Sequence, residues 1–118
     1  MDDGNVSLEK SKSHIIVEIV EYIPNALARS TIFKKITGEV TISTFDTGEE
    51  IAQKTSLYNI FIQVIYGAAE VFVDEGKKYI LRPGNSVIIP AHASHCINAN
   101  EKFKMISTVI YGLHGFEK

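Results

Sequence analysis

Hydrophobic and polar positions along the chain fall into short stretches of period two, cut by Gly and Pro. Val40, Ile42 and Thr44 alternate with Thr41, Ser43 and Phe45, which predicts a half-buried strand. Ile32 to Ile36 predicts a strand before it, with a turn at Gly38. Asp46-Thr47-Gly48 interrupts the pattern, and the polar stretch 49–56 reads as a loop or an edge. Residues 58–66 (YNIFIQVIY) are apolar on both faces apart from Asn59 and Gln63, so that strand needs cover on both sides. Gly67 ends it.

The second half repeats the same rhythm. Glu70 to Val73 and Lys78 to Leu81 flank Asp74-Glu75-Gly76 at hairpin spacing. Arg82-Pro83-Gly84-Asn85 is a further turn, and Val87 to Ile89 is a short strand stopped by Pro90. His95 to Asn98 and Phe103 to Tyr111 complete eight or nine strands. Such spacing, without intervening helices, predicts an all-β sandwich or barrel. Only the start differs. Residues 1–12 are polar and charged and read as a flexible tail. Residues 14–23 (HIIVEIVEYI) fit a helical period and a strand composition equally, so a short irregular or helical N-terminal segment is expected ahead of the barrel.

Composition narrows the function without naming it. The chain has 118 residues, one domain's worth, with 45% hydrophobic and 22% charged side chains and a formal net charge of −2. No basic cluster supplies a nucleic-acid face, and no apolar run has the length of a membrane span. Cys96 is the single cysteine, so no intrachain disulfide forms. The acidic start MDDGNVSLEK is unlike a secretory signal, and a cytoplasmic location is expected.

Two stretches carry chemistry. From Gly48 to Gly67 the chain has the length of the first motif of the cupin superfamily, which reads Gly, five residues, His, one, His, three or four, Glu, six, Gly. In LRPGNSVIIPAHASH, Gly84, Pro90 and His95 match the second motif, which reads Gly, five, Pro, one, Gly, two, His, three, Asn. The chain resembles a small single-domain bacterial cupin, over about residues 38–111. That resemblance implies a double-stranded β-helix, or jelly-roll barrel, over residues 13–118 that pairs into a homodimer.

The resemblance also implies a metal site, and the residues here depart from it. Lys54 and Ser56 stand at the two His places of the first motif, and Ile60 at the Glu place, leaving His95 alone of the four. An ammonium has no lone pair for a cation, and one imidazole holds a metal poorly, so no cofactor is expected. The alternative is a site for Zn, Mn, Fe or Ni built on His95 and His92, which stands at a Gly place of the second motif. Cys96 adds little to it, because neighbours in a strand point to opposite faces.

The expected function is therefore a barrel that binds a small molecule without metal, through Lys54, Ser56, Tyr58 and His95. Two cationic-capable groups, Lys54 and His95, favour an anion such as a carboxylate. The alternative is a metal-dependent cupin enzyme of the dioxygenase, isomerase or lyase type using His95 and His92. A third reading is a barrel filled by its own side chains, with Tyr58, Ile60, Ile62 and Tyr66 as the plug.

Overall fold

The chain folds into two antiparallel sheets. Its strands are β1 (Leu27–Lys35), β2 (Gly38–Phe45), β3 (Glu50–Lys54), β4 (Ile60–Gly67), β5 (Ala69–Val73), β6 (Lys77–Leu81), β7 (Ser86–Ile89), β8 (His95–Asn98) and β9 (Phe103–Ile110). One sheet has the order β1-β2-β9-β4-β7 and the other β3-β8-β5-β6. Their inner faces enclose one core, which makes the fold a jelly-roll barrel. The computed structural model describes residues 8–74 and 76–111. Residues 1–7 of the expected tail, Glu75 of the expected turn and residues 112–118 of the expected domain lie outside the described residues.

Register explains how the inside is organised. In the five-stranded sheet, residues facing one another across the strands form rows on the inner face. The lowest row is Leu27, Phe45, Phe103 and Gly67. Phe45 and Phe103 stack with ring centroids 4.2 Å apart, and both are fully buried. Full burial of a side chain of this size stabilises by roughly 1.5–3 kcal/mol. Gly67 closes the row because nothing larger fits: a Cβ there would sit 2.1 Å from the Lys102 carbonyl oxygen, and its φ is +75°.

Above that floor the rows change character. The next holds Arg29, Ser43, Met105 and Val64, and the one after it Thr41, Ser107, Ile62 and Val87. A fourth holds Glu39, Val109, Ile60 and Ile89. The β1–β2 side of each row is polar and the β4–β7 side apolar. The interior is therefore greasy at the bottom and split into two unlike walls higher up.

The strand expected over 32–36 starts earlier, at Leu27, and the stretch expected as a loop or edge contains β3, an edge strand. Residues 14–23 form the expected short irregular segment, with a single turn of 3-10 helix, Ile16–Glu18. They lie on the outer face of the five-stranded sheet. The Thr44 hydroxyl donates to the Glu21 carbonyl, and the Lys104 ammonium to the Val17 carbonyl. Lys102 and Lys104 also hold their ammonium groups 5.3 and 5.1 Å from the Tyr22 ring centroid. This cover buries Ile42 and Thr44 completely on the face that looks away from the core.

Candidate functional site

A cavity of about 270 Å³ opens between the sheets above the Phe45–Phe103 floor. Its size is near the lower end of ligand pockets, roughly 300–1,000 Å³, and suits a metabolite rather than a large cofactor. The barrel is thus not filled by its own side chains. Ile60 and Ile62 line the cavity without plugging it. Tyr66, expected on the inner side, faces outward opposite Lys104, because an irregularity between Val64 and Tyr66 shifts the strand by one residue.

Lys54 reaches the cavity through a bulge. Ile51 faces inward opposite Ile97, so in a regular strand Lys54, three residues on, faces out. The register shift between Ile51 and Lys54 inserts one residue, pairs Lys54 with the inward His95, and puts both on the cavity wall. Ser56 also lines the cavity, from the loop after β3. Its carbonyl accepts from the His92 N–H at 2.7 Å, and Asn59 Oδ1 accepts from the Ala91 N–H at 2.7 Å. These two bonds stitch the first-motif loop to the second-motif turn.

Tyr58 and His92 are placed elsewhere. Tyr58 does not line the cavity, because strand parity does not carry through the loop. Its ring meets Tyr111 edge-on, with centroids 5.0 Å apart. Burial foremost, then the charge of Glu39, a cavity residue, raises the pKa of Tyr111. His92 is exposed, with φ at +70°, the left-handed conformation a glycine takes readily. It does not line the cavity that His95 lines.

His95 is 3% exposed. Burial holds its imidazole below the ordinary value of 6.5, and the Lys54 ammonium adds to that against the opposing Ala93 carbonyl. Nδ1 lies 3.4 Å from that carbonyl oxygen, which only accepts, so Nδ1 carries the proton and Nε2 keeps its lone pair. His95 is then a neutral acceptor and a candidate base.

Five polar cavity residues lie outside the motifs: Arg29, Glu39, Thr41, Ser43 and Ser107. All sit on β1, β2 or β9. The alternation of Thr41 and Ser43 with Val40 and Ile42 was the available signal, but it does not say which face looks inward. Among the described residues, no three His, Cys, Asp or Glu side chains come close enough to hold a metal ion. Among the described residues, His95 and Glu39 are the only side chains of those types in the cavity, so this donor set does not fit the three-His, one-Glu site of metal cupins.

A family model described as a cupin domain matches residues 41–111. The chain belongs to the cupin family. The fold agrees with solved cupin-like structures. A conserved protein of unknown function from Streptococcus pyogenes superposes with a TM-score of 0.84 at 22% identity, covering 92% of this chain and 95% of that one. A cupin superfamily protein from Desulfitobacterium hafniense gives 0.83 at 18% identity, covering 92% and 98%. KdgF from Halomonas sp. gives 0.69 at 22% identity, covering 79% and 87%. Likeness at these identities speaks for the fold alone. No curated protein matches this chain. Among the described residues, no helix is long and apolar enough to cross a membrane.

Proposed function

We propose that this cupin binds a small organic anion in its barrel without the help of a metal. One observation carries the reading: Lys54 and Arg29 both line the cavity, and neither has an acidic partner among the described residues. Unpaired cations in a partly enclosed, partly apolar site gain most from an anionic occupant. Ser56 supplies a hydroxyl beside Lys54, and His95 a neutral acceptor. Tyr58 contributes from behind, as the neighbour of Tyr111.

Calorimetric titration of small carboxylates and their neutral amides tests this. Carboxylates are expected to bind and amides not. Lys54→Gln is expected to weaken carboxylates by about tenfold or more, the loss of one charge-assisted hydrogen bond of about 1.5–3 kcal/mol. Amides binding as well as carboxylates, or a Lys54→Gln variant that binds unchanged, would sink the proposal.

The metal-enzyme reading through His95 and His92 has the donor set and the exposed position of His92 against it. Elemental mass spectrometry on untagged protein separates the two readings. Trace metal supports the metal-free barrel, and a stoichiometric transition metal lost in His95→Gln restores the enzyme.

We also propose that a second copy covers the outer face of the five-stranded sheet. There Ile88, Phe61, Thr108, Val40 and Phe33 form one row across every strand. Phe61 is 38% and Ile88 62% exposed among the described residues. Two such faces pack as stacked sheets do, about 10 Å apart.

A further inference from the structure

The charges around the cavity say more about the occupant than its sign. Glu39 is the single acid among the lining residues, and it is already engaged: the Lys34 ammonium lies 3.8 Å away. Arg29 and Lys54 therefore leave two positive charges without balance. A ligand with one carboxylate satisfies one of them.

The two cations also come from different walls. Arg29 stands on β1, in the five-stranded sheet, in the row with Ser43 and Met105. Lys54 stands at the end of β3, in the four-stranded sheet, paired with His95. A planar guanidinium suits a carboxylate held by both oxygens, and an ammonium suits a point of negative charge. Cations on opposite sheets ask for negative groups at two ends of a molecule rather than on one centre.

Apart from Glu39 the rest of the polar lining is uncharged. Thr41, Ser43 and Ser107 present hydroxyls, and Ser43 is buried. His95 offers Nε2 as an acceptor, since Nδ1 donates to the Ala93 carbonyl. An acceptor in that position calls for a donor on the ligand, and carboxylates have none. The opposite wall, with Ile60, Ile62 and Met105, takes a short carbon skeleton.

The geometry points to a small hydroxy-dicarboxylate as the ligand class, its two carboxylates held by Arg29 and Lys54 and its hydroxyl by His95. This rests on the reading of the cavity as an anion site and sharpens it. The cavity limits the skeleton to about four to six carbons, since it is smaller than the roughly 300 Å³ where pockets for drug-sized ligands begin.

The test is a matched series at one ionic strength: butyrate, succinate, malate and inorganic phosphate, titrated into wild type, Arg29→Gln and Lys54→Gln. Malate is expected to bind more tightly than succinate, and succinate at least about tenfold more tightly than butyrate, the worth of one charge-assisted contact. Arg29→Gln is expected to erase the advantage of succinate over butyrate while butyrate still binds. Arg29 is exposed on an edge strand, and unchanged thermal melting checks that its loss leaves the fold intact. Butyrate binding as well as succinate, or an advantage that survives Arg29→Gln, overturns the dianion and leaves the anion site standing. Phosphate above malate overturns it too, in favour of charge on one centre. No binding by any of the four, in wild type as in Lys54→Gln, overturns both proposals together.

Discussion

His92 sits in a backbone conformation that its side chain opposes. Its φ of +70° belongs to the left-handed region, where a non-glycine residue costs about 1–2 kcal/mol. The second cupin motif has Gly at this place, so the backbone keeps the family's turn although the residue has changed. His92→Gly is expected to raise thermal stability by a few degrees, about 1 kcal/mol, in a melting experiment. A drop would mean that the exposed imidazole makes a contact worth more than the strain. His95 gives a prediction of the opposite kind. Its folded pKa is lowered, so the folded state resists a proton that the unfolded chain accepts. The contribution of neutral His95 is whole above about 6.5 and is lost as pH falls from there through the folded value. Denaturant melts between pH 7.5 and 5 are expected to show that loss, and His95→Gln to flatten it. Spacing within the two motifs put Lys54 and His95 at places of one family site, and a bulge in β3 brings both to one cavity. Spacing could say nothing of Arg29, Ser43 or Ser107, which lie on strands outside the motifs or before their start.

At the scale of elements, β3 shows what alternation can and cannot tell. Its polar composition predicts a loop or an edge, and it is an edge, but the inward turn of Lys54 depends on one extra residue between Ile51 and Lys54. No periodicity announces a bulge. The same is true of β4, where the expected parity of Tyr66 fails after Val64 for the same reason. Removing one residue from the β3 bulge, by deleting Gln53, is expected to restore regular alternation and leave Lys54 opposite His95, now two residues after the inward Ile51. Carboxylate affinity is then expected to stay within a few-fold of wild type, unlike in Lys54→Gln, and the melting temperature to move little, because β3 is an edge strand outside the main core. A loss of binding as large as in Lys54→Gln would show that the bulge itself, beyond the pairing with His95, positions the ammonium. The segment 14–23 was ambiguous for a different reason. Its half-buried residues rest on the sheet through contacts made by side chains and single carbonyls, with no repeating hydrogen-bond pattern to favour helix or strand.

The whole molecule has two outer faces of unlike character. The four-stranded sheet carries a surface ion pair, Lys78 with Glu70 at 3.4 Å. The five-stranded sheet shows the apolar row that ends at Ile88. The need of residues 58–66 for cover on both sides was legible in their composition, and among the described residues the N-terminal segment lies over Ile42 and Thr44 and reaches Phe33 through Lys10. If a second copy takes the rest, Phe61→Asp shifts the chain to a monomer in light scattering at micromolar concentration, with ligand affinity unchanged. A wild type that runs as a monomer at that concentration defeats the pairing. The jelly roll itself was readable from turn spacing and motif register together, because both depend on local chemistry. The polar wall was not, because it arises only where β2 and β9 lie side by side.

The bulge in β3 has a consequence for how such barrels change over generations. A bulge takes up one extra residue without passing the shift on along the strand. One codon between Ile51 and Lys54 can therefore be gained or lost while the lysine keeps its place opposite His95. A lineage built this way can vary the length of an edge strand and hold the sign of its cavity constant.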